Sequence, residues 1–139
     1  AKLALTAQSA GISLRVIPEI CDFTVTTDIA KLERVLTNLI ENAIRHTPSG
    51  GEIAVKVSQK SDQLYVAVPD TGVGIHEDEL NAIFEPHYQA RNSIKRGSTG
   101  LGLAICKQLL TLMDSEINVS STLGKGSEFR FNLAMQAPA

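Results

Sequence analysis

The chain contains 139 residues, enough for one compact domain, whereas two domains would each be unusually small. Hydrophobic residues make up 43% and charged residues 20%, which supports a buried core and argues against disorder. A net charge of −2, no long apolar stretch and no signal peptide predict a domain without nucleic-acid partner or membrane contact. Two cysteines cannot build a disulfide framework, which suits a reducing cytosol.

The first third of the sequence predicts a helix end, one or two strands and a long helix. Residues 1–10 are compatible with a helix, and the alternation in Ile12–Ile17 predicts a strand. Phe23–Thr26 could add a short second strand, and Asp28 is a suitable N-cap for the helix that follows. Apolar residues then recur at three- and four-residue steps and define one helix face: Ile29, Leu32, Val35, Leu36, Leu39, Ile40, Ala43 and Ile44.

The middle of the sequence predicts a hairpin and a short helix. Pro48–Gly51 has turn composition. Glu52–Ser58 and Leu64–Val68 alternate on either side of a polar connection, which is typical of an antiparallel hairpin. A short helix is expected over Glu77–Ile83.

The last third predicts a loop, a helix and a closing strand pair. Phe84–Thr99 is polar and basic without periodicity, so we expect a mobile functional loop there. Gly100–Met113 is helical in pattern, and Ile117–Ser121 and Glu128–Leu133 predict strands. We interpret Gly124 and Gly126, which lie between them, as a plain hairpin turn. Strands in one layer and helices in the other predict a two-layer α/β sandwich.

Three polar residues stand out on the long helix. Asn38, Asn42 and Arg45 are spaced so that they share one face, which we place opposite the apolar stripe. Asn is a poor helix former, and a lone Asn would most simply belong to a solvated face. Two of them followed by a cation favour a ligand site, because amide oxygens suit Mg²⁺ and a cation suits phosphate.

Two glycine clusters complete the set of candidate functional segments. Asp70–Ile75, with the letters DTGVGI, directly follows a predicted strand, and its two glycines allow the backbone to approach something flat. Gly97–Leu103, with the letters GSTGLGL, opens a helix whose free N–H groups can seat a phosphate. A P-loop is excluded because Gly124–Ser127 lacks its spacing, and a dinucleotide fingerprint because Glu77 stands where the third glycine after Gly72 and Gly74 belongs.

Together, and in this order, these segments resemble the catalytic and ATP-binding domain of two-component sensor histidine kinases, in the GHKL superfamily. Asn38–His46 resembles the N box, Asp70–Gly74 the first glycine box, Phe84–Pro86 the F box and Gly97–Leu103 the second glycine box. The resemblance implies a mixed, mostly antiparallel sheet of about five strands, about three helices and a mobile ATP lid. It also implies a catalytic domain over residues 11–136.

The resemblance assigns roles to individual residues. Asn42 would coordinate Mg²⁺ with support from Asn38, and Arg45, where the family usually has Lys, would face the phosphates. Asp70 would read adenine, since a carboxylate accepts a hydrogen bond from the 6-amino group but repels the carbonyl oxygen of guanine. The further residues expected to contact ATP are His46, Gly72, Gly74, Ile75, Lys95, Arg96, Gly97, Ser98, Thr99, Gly100, Leu101 and Gly102.

Some positions depart from the family pattern or leave two interpretations. His46 replaces the common Tyr or Phe near the nucleotide, and His87 replaces a Phe of the F box. Lys95 and Arg96 either approach the γ-phosphate or are solvated charges of the lid.

The implied function is a protein-histidine kinase module that uses Mg·ATP. It would phosphorylate a His on a dimerisation domain absent from this chain, upstream of a response regulator, and would be nearly inactive alone. Residues 1–10 would end a linker helix from that domain, and the parent kinase would place this module in the cytoplasm. Two alternatives stay open: a non-catalytic nucleotide-sensing module, and a superfamily ATPase. The ATPase is disfavoured because Asn38 stands where those enzymes carry a general-base Glu.

Overall fold

The computed structural model describes residue 8 and residues 11–17, 29–60, 63–85 and 102–134. Within these ranges, one five-stranded sheet carries two α-helices and two short 3₁₀ turns. In chain order the elements are β1 (Ser13–Ile17), α1 (Ile29–His46), β2 (Glu52–Lys60), β3 (Gln63–Asp70), 3₁₀ turns at Glu77–Glu79 and Ala82–Phe84, α2 (Gly102–Leu112), β4 (Asn118–Thr122) and β5 (Gly126–Ala134).

The sheet is mixed and mostly antiparallel, as predicted. Its strand order is β1-β2-β3-β5-β4; β1 and β2 are parallel, and every other neighbouring pair is antiparallel. A parallel pair needs a crossover, and α1 lies in the connection between β1 and β2. The expected hairpin of β2 and β3 and the closing pair of β4 and β5 are both confirmed.

The core lies between the helices and one face of the sheet. The apolar stripe of α1 is confirmed, since Val35 and Leu39 are fully buried and Ala43 is 1% exposed. Alternate residues of the strands point at this stripe, because successive side chains of a strand face opposite sides of the sheet. In β3 the inward residues are Leu64, Val66 and Val68, and the same alternation places Asp70 on the helix-covered face.

Two helices differ in detail from their predictions. The helix expected over Glu77–Ile83 is instead two single 3₁₀ turns, because so short a segment does not repay the cost of nucleating an α-helix. The helix predicted over Gly100–Met113 is observed as α2, with Gly100 outside the described residues. Phe23–Thr26 and Asp28 are also outside them. Among the described residues, no helix combines the length and apolar character needed to cross a bilayer.

The interpretation of Gly124 and Gly126 as a plain turn is right for the first and wrong for the second. Both have positive φ, at 81° for Gly124 and 139° for Gly126. A Cβ on Gly124 would meet no atom within 4 Å, whereas a Cβ on Gly126 would overlap the carbonyl oxygen of Asp70. Gly126 is therefore required for the close approach of β5 to the end of β3.

We expect alanine substitutions at these two glycines to differ strongly. Gly124→Ala carries only the positive-φ strain and should lower the free energy of unfolding by about 1 kcal/mol. Gly126→Ala adds an overlap with backbone that cannot move without opening the sheet, so a loss of at least about 3 kcal/mol is expected. Urea denaturation of both variants measures the difference; equal losses would contradict the close approach.

Candidate functional site

The site is built around the carboxyl group of Asp70, at the end of β3. Asp70 is 7% exposed, and its Oδ1 accepts hydrogen bonds from the backbone N–H groups of Gly72 at 2.8 Å and Ser127 at 3.2 Å. Its Oδ2 is buried and has no hydrogen-bond partner among the described residues. One oxygen is thus held by the protein, and the other is left to a donor that the described residues do not supply.

Burial raises the pKa of Asp70 to about 6, and the two backbone N–H groups that donate to the carboxylate oppose the rise. The group is therefore mostly ionised near neutral pH and accepts hydrogen bonds without donating them. Such a group recognises a ligand amine or amide N–H and rejects a carbonyl oxygen. A buried carboxyl with a shifted pKa and an unpartnered oxygen is typical of a functional site.

The glycine segment after Asp70 is clamped between α1 and the β4–β5 hairpin. The N–H of Val73 donates to the carbonyl oxygen of His46 at 2.9 Å, and its C=O accepts from the N–H of Gly124 at 2.8 Å. A Cβ on Gly72 would overlap the carbonyl oxygen of His46. Gly74 has φ 77° and lies against the backbone of Thr122. Both glycines are needed for backbone-to-backbone contact.

The polar residues of α1 share a helix face, but the expectation that this face lies opposite the apolar stripe is wrong. Asn42 is 3% exposed and flanks the core. At about 100° per residue, it lies only about 60° around the helix from Leu39. On the same flank, α2 packs against α1 at Val35 and Asn38, a contact that the period of α1 alone does not reveal.

Asn42 and Arg45 are in contact at the end of α1. The Arg45 Nη2 group donates to Asn42 Oδ1 at 3.4 Å. Burial lowers the pKa of Arg45, and the charge of nearby Glu41 opposes that change. Glu41 itself is exposed. An amide oxygen and a guanidinium thus lie side by side in a partly buried place.

His46 closes α1 and connects it to the glycine segment. Its Nδ1 lies 2.7 Å from the carbonyl oxygen of Asn42, a geometry in which the Nδ1–H donates. Burial lowers the pKa of His46, the bond to Asn42 opposes this, and the charge of Arg45 adds to it. The neutral ring is thus held in one tautomer, with Nε2 left as an acceptor.

Asn38 lies one turn before Asn42 and next to the start of α2. A Cβ on Gly102 would make an ordinary contact with the Asn38 side chain, at 3.9 Å. Asn38 Nδ2 is buried and, apart from an interaction with the Cys106 thiol, has no partner among the described residues. Burial raises the pKa of the nearby Cys106 thiol to about 12, which the Asn38 amide and the Arg34 charge oppose. The thiol itself donates to Val35 O at 3.6 Å, so it is a buried, unreactive group.

The side chains of the site fit a divalent cation only in part. No group of three or more His, Cys, Asp or Glu that could hold a metal occurs in the described part of the chain. Mg²⁺ commonly takes only one or two protein oxygens together with ligand phosphates and water. The amide oxygen of Asn42 fits that requirement. The buried Nδ2 of Asn38 is a hydrogen-bond donor, which does not bind a cation. Asn38 is therefore better suited to supporting Asn42 than to coordinating the metal itself.

The structure brings together many, though not all, of the predicted site residues. Asn38, Asn42, Arg45 and His46 lie along one end of α1, and Asp70, Gly72, Gly74 and Ile75 lie on the adjoining loop. Gly102 begins α2. Outside the described residues lie Lys95, Arg96, Gly97, Ser98, Thr99, Gly100, Leu101 and His87, and with them the predicted lid.

The contribution of β5 to the site was not predicted from the sequence. Ser127 is 7% exposed, lies directly opposite Asp70 in the sheet and donates to it. The signal was present in the alternation of β5, where Ser127 shares a face with the buried Phe129, Phe131 and Leu133. A serine hydroxyl on a buried face needs a polar partner, which here is Ser121 Oγ at 2.9 Å, while the backbone N–H of Ser127 donates to Asp70.

Comparison with known proteins identifies the family of the chain. Residues 27–137 match the family model described as histidine kinase-, DNA gyrase B-, and HSP90-like ATPase. The chain is 41% identical over 114 residues to the sensor protein GacS of Pseudomonas syringae pv. syringae, a match that covers 78% of this chain and 13% of GacS. The chain spans less than a fifth of the length of such curated relatives.

Solved structures share the fold. The mycobacterial sensor histidine kinase MprB superposes with a TM-score of 0.82 at 22% identity, over 97% of this chain and 90% of that one. Full-length ShkA in complex with AMPPNP superposes with a TM-score of 0.78 at 27% identity, over 99% of this chain and 30% of ShkA. The chain belongs to the family of histidine kinase-, DNA gyrase B- and HSP90-like ATPases, and within it to the catalytic domains of sensor histidine kinases.

The buried charge of Asp70 predicts a pH-dependent stability. Its pKa is about 6 in the folded chain against an ordinary value of 3.8, so the folded state binds the proton more tightly. The carboxyl group should therefore lower the free energy of unfolding by about 2–3 kcal/mol as pH rises from about 4 to about 6. Asp70→Asn keeps an acceptor oxygen and removes the charge, so it should be more stable than wild type above about pH 6.

Chemical denaturation of wild type and Asp70→Asn at several pH values measures this effect. Glu77→Gln, which removes an exposed carboxylate, is the matched control and should follow the wild-type curve. Equal stability of Asp70→Asn and wild type at about pH 7.5 would show that the buried charge carries no cost.

Proposed function

We propose that this chain binds Mg·ATP and transfers the γ-phosphoryl group to a histidine on a phosphoacceptor domain that the chain does not contain. The observation that carries the proposal is the buried, unpartnered Oδ2 of Asp70, beside an Oδ1 that two backbone N–H groups fix. The exocyclic amino group of adenine is the donor that this oxygen requires. Gly72 and Gly74 pack against the backbone of His46 and Thr122, which fixes the loop beside this oxygen.

The phosphates would extend from the base toward the end of α1. Arg45 supplies a fixed positive charge there, and Asn42 supplies an amide oxygen. Asn42 would hold Mg²⁺ through its amide oxygen, and the metal would supply charge neutralisation at the phosphates. Gly102 at the start of α2 would direct helix N–H groups at the phosphates, together with the predicted contacts at Lys95–Leu101. ShkA, which is 27% identical, is described in complex with AMPPNP.

The site favours transfer to a protein acceptor over attack by water. Hydrolysis needs a group that orients and deprotonates water, and Asn38 is an amide with no such capacity. Glu41 is exposed, next along the helix from Asn42, and its charge acts on Arg45 instead. Phosphoryl transfer to a nucleophilic imidazole asks the protein mainly for positioning and charge stabilisation. Asn42 and Arg45 would contribute to both.

The remaining parts of the proposal concern what surrounds the domain. Residues 11–136 would form the catalytic domain, and residues 1–10 would end a linker helix from the phosphoacceptor domain. A response regulator would take the phosphoryl group from that domain. The match covers only 13% of GacS, which supports a parent protein with further domains. That parent would place this domain in the cytoplasm.

Phosphotransfer from labelled ATP tests the proposal directly. The chain is mixed with the histidine-bearing helical hairpin of its parent protein and γ-labelled ATP, and acid-labile label on the hairpin is measured. We expect label to appear with Mg²⁺, and Asn42→Ala to reduce it at least about tenfold through loss of the metal-holding oxygen. Glu41→Gln, one residue away and exposed, should keep most of the activity.

Two outcomes would contradict the proposal in different ways. ATP binding without any acid-labile label would favour a nucleotide-sensing module that does not catalyse transfer. Release of inorganic phosphate without label on the hairpin would favour an ATPase. Full activity of Asn42→Ala would remove Asn42 from its proposed role.

A further inference from the structure

Two serines follow Asp70 across the sheet, on β5 and then on β4, and the proposed mechanism does not use them. Ser127 stands directly opposite Asp70 in the β3–β5 pairing and directly opposite Ser121 in the β4–β5 pairing. The Oγ atoms of Ser121 and Ser127 are 2.9 Å apart. All three residues line one open depression with a volume of about 300 Å³.

The contacts of Ser121 determine where each hydroxyl hydrogen points. Ser121 Oγ accepts the backbone N–H of Ile75 at 2.8 Å and lies 3.0 Å from the carbonyl oxygen of Gly126. A hydroxyl has one hydrogen, and a carbonyl oxygen can only accept. The hydrogen of Ser121 must therefore go to Gly126, since the alternative leaves two acceptor oxygens facing each other with no hydrogen between them.

This assignment also fixes the direction of the second hydroxyl. With its own hydrogen used, Ser121 Oγ can contact Ser127 Oγ only as an acceptor, so Ser127 donates to Ser121. Ser127 Oγ then has lone pairs and no hydrogen for any ligand beside Asp70. The site presents two acceptors there, the free carboxylate oxygen of Asp70 and the hydroxyl oxygen of Ser127.

We propose, on the basis of the proposed function, that Ser121 is a positioning residue that sets purine specificity by holding the Ser127 hydroxyl as an acceptor. The 6-amino group of adenine has two hydrogens, one for Asp70 and one for Ser127. A purine with a carbonyl oxygen at position 6 faces two acceptors and is rejected. Without Ser121, the Ser127 hydrogen is free to turn toward that carbonyl, and the rejection weakens.

If Ser121 only stabilised the loop, its substitution would affect nucleotide affinities in a different way. Ser121 also anchors the N–H of Ile75, so its loss should loosen the loop and weaken every nucleotide by a similar factor. Only the directional role changes the ratio of affinities for two bases that differ at position 6. ATP and inosine triphosphate are such a pair, because inosine has oxygen where adenine has the amino group and lacks the 2-amino group of guanine.

The test measures dissociation constants for Mg·ATP and Mg·ITP by calorimetry on the 139-residue chain and its variants. We expect Ser121→Ala to lower the preference for ATP over ITP about tenfold, the size of effect that one hydrogen-bonding group produces. Ser121→Thr keeps the hydroxyl and should keep the preference. Ser120→Ala is the matched control, since Ser120 is exposed on the neighbouring strand position and accepts from Arg130 at 2.6 Å.

Several results would overturn the inference. An unchanged ATP-to-ITP preference in Ser121→Ala, with both nucleotides weakened equally, would leave Ser121 only a structural role. If that variant does not fold, Ser127→Ala gives the same test, because it removes the second acceptor and leaves the Ile75 anchor intact. An unchanged preference in Ser127→Ala also overturns the inference. A wild-type chain that binds neither nucleotide overturns the proposed function, and this inference with it.

Discussion

One oxygen of Asp70 accepts two backbone hydrogen bonds, and the geometry of the whole site depends on this contact. The carboxyl group ends β3, one donor belongs to the following loop at Gly72, and the other belongs to β5 at Ser127. A single buried group therefore joins three segments of the chain. Its burial raises its pKa to about 6, a cost that the two N–H groups only partly offset. The second oxygen has no partner in the described part of the chain, so the fold keeps an unsatisfied acceptor where a ligand donor can bind.

The segments around Asp70 contact one another through their backbones, which explains why glycines occupy the contact positions. Gly72 lies against the carbonyl of His46, and Gly126 lies against the carbonyl of Asp70, so a methyl group at either position would overlap main-chain atoms. The bond from Val73 N–H to His46 O at 2.9 Å fastens the same loop to the end of α1. That helix end also carries Asn42 and Arg45. The base-reading end and the phosphate-facing end of the proposed site are therefore parts of one rigid unit, as positioning catalysis requires.

Much of the fold could be predicted because it follows from short-range periodicity. The three- and four-residue spacing of α1 and the alternation of β3 are local patterns, and both were confirmed by burial of Leu39 and Val68. That a carboxylate at position 70 accepts hydrogen bonds follows from its residue type, whereas its role in reading adenine came from the resemblance and stays a prediction. The burial of Asn42 was not predictable, since the period of α1 does not show what packs against its polar face. Nor were the roles of Gly126 and Ser127, whose partner Asp70 lies 57 residues from Ser127 in sequence. Register between distant strands decides those contacts, and no local period encodes it. The domain limits and the lid contacts at Lys95–Leu101 stay predictions.

The central claim is that a ligand amino group donates to the free oxygen of Asp70, and proton linkage tests it most directly. Such a bond stabilises the carboxylate, so the pKa of Asp70 should fall when ATP binds, and protons should be released near pH 6. Calorimetric titration with saturating Mg·ATP in buffers of different ionisation enthalpy measures that release, and Asp70→Asn corrects for protons that leave the phosphates. The account predicts that wild type releases up to about half a proton more than Asp70→Asn, given a pKa of about 6. Equal release in both proteins, or net proton uptake by wild type, would contradict it.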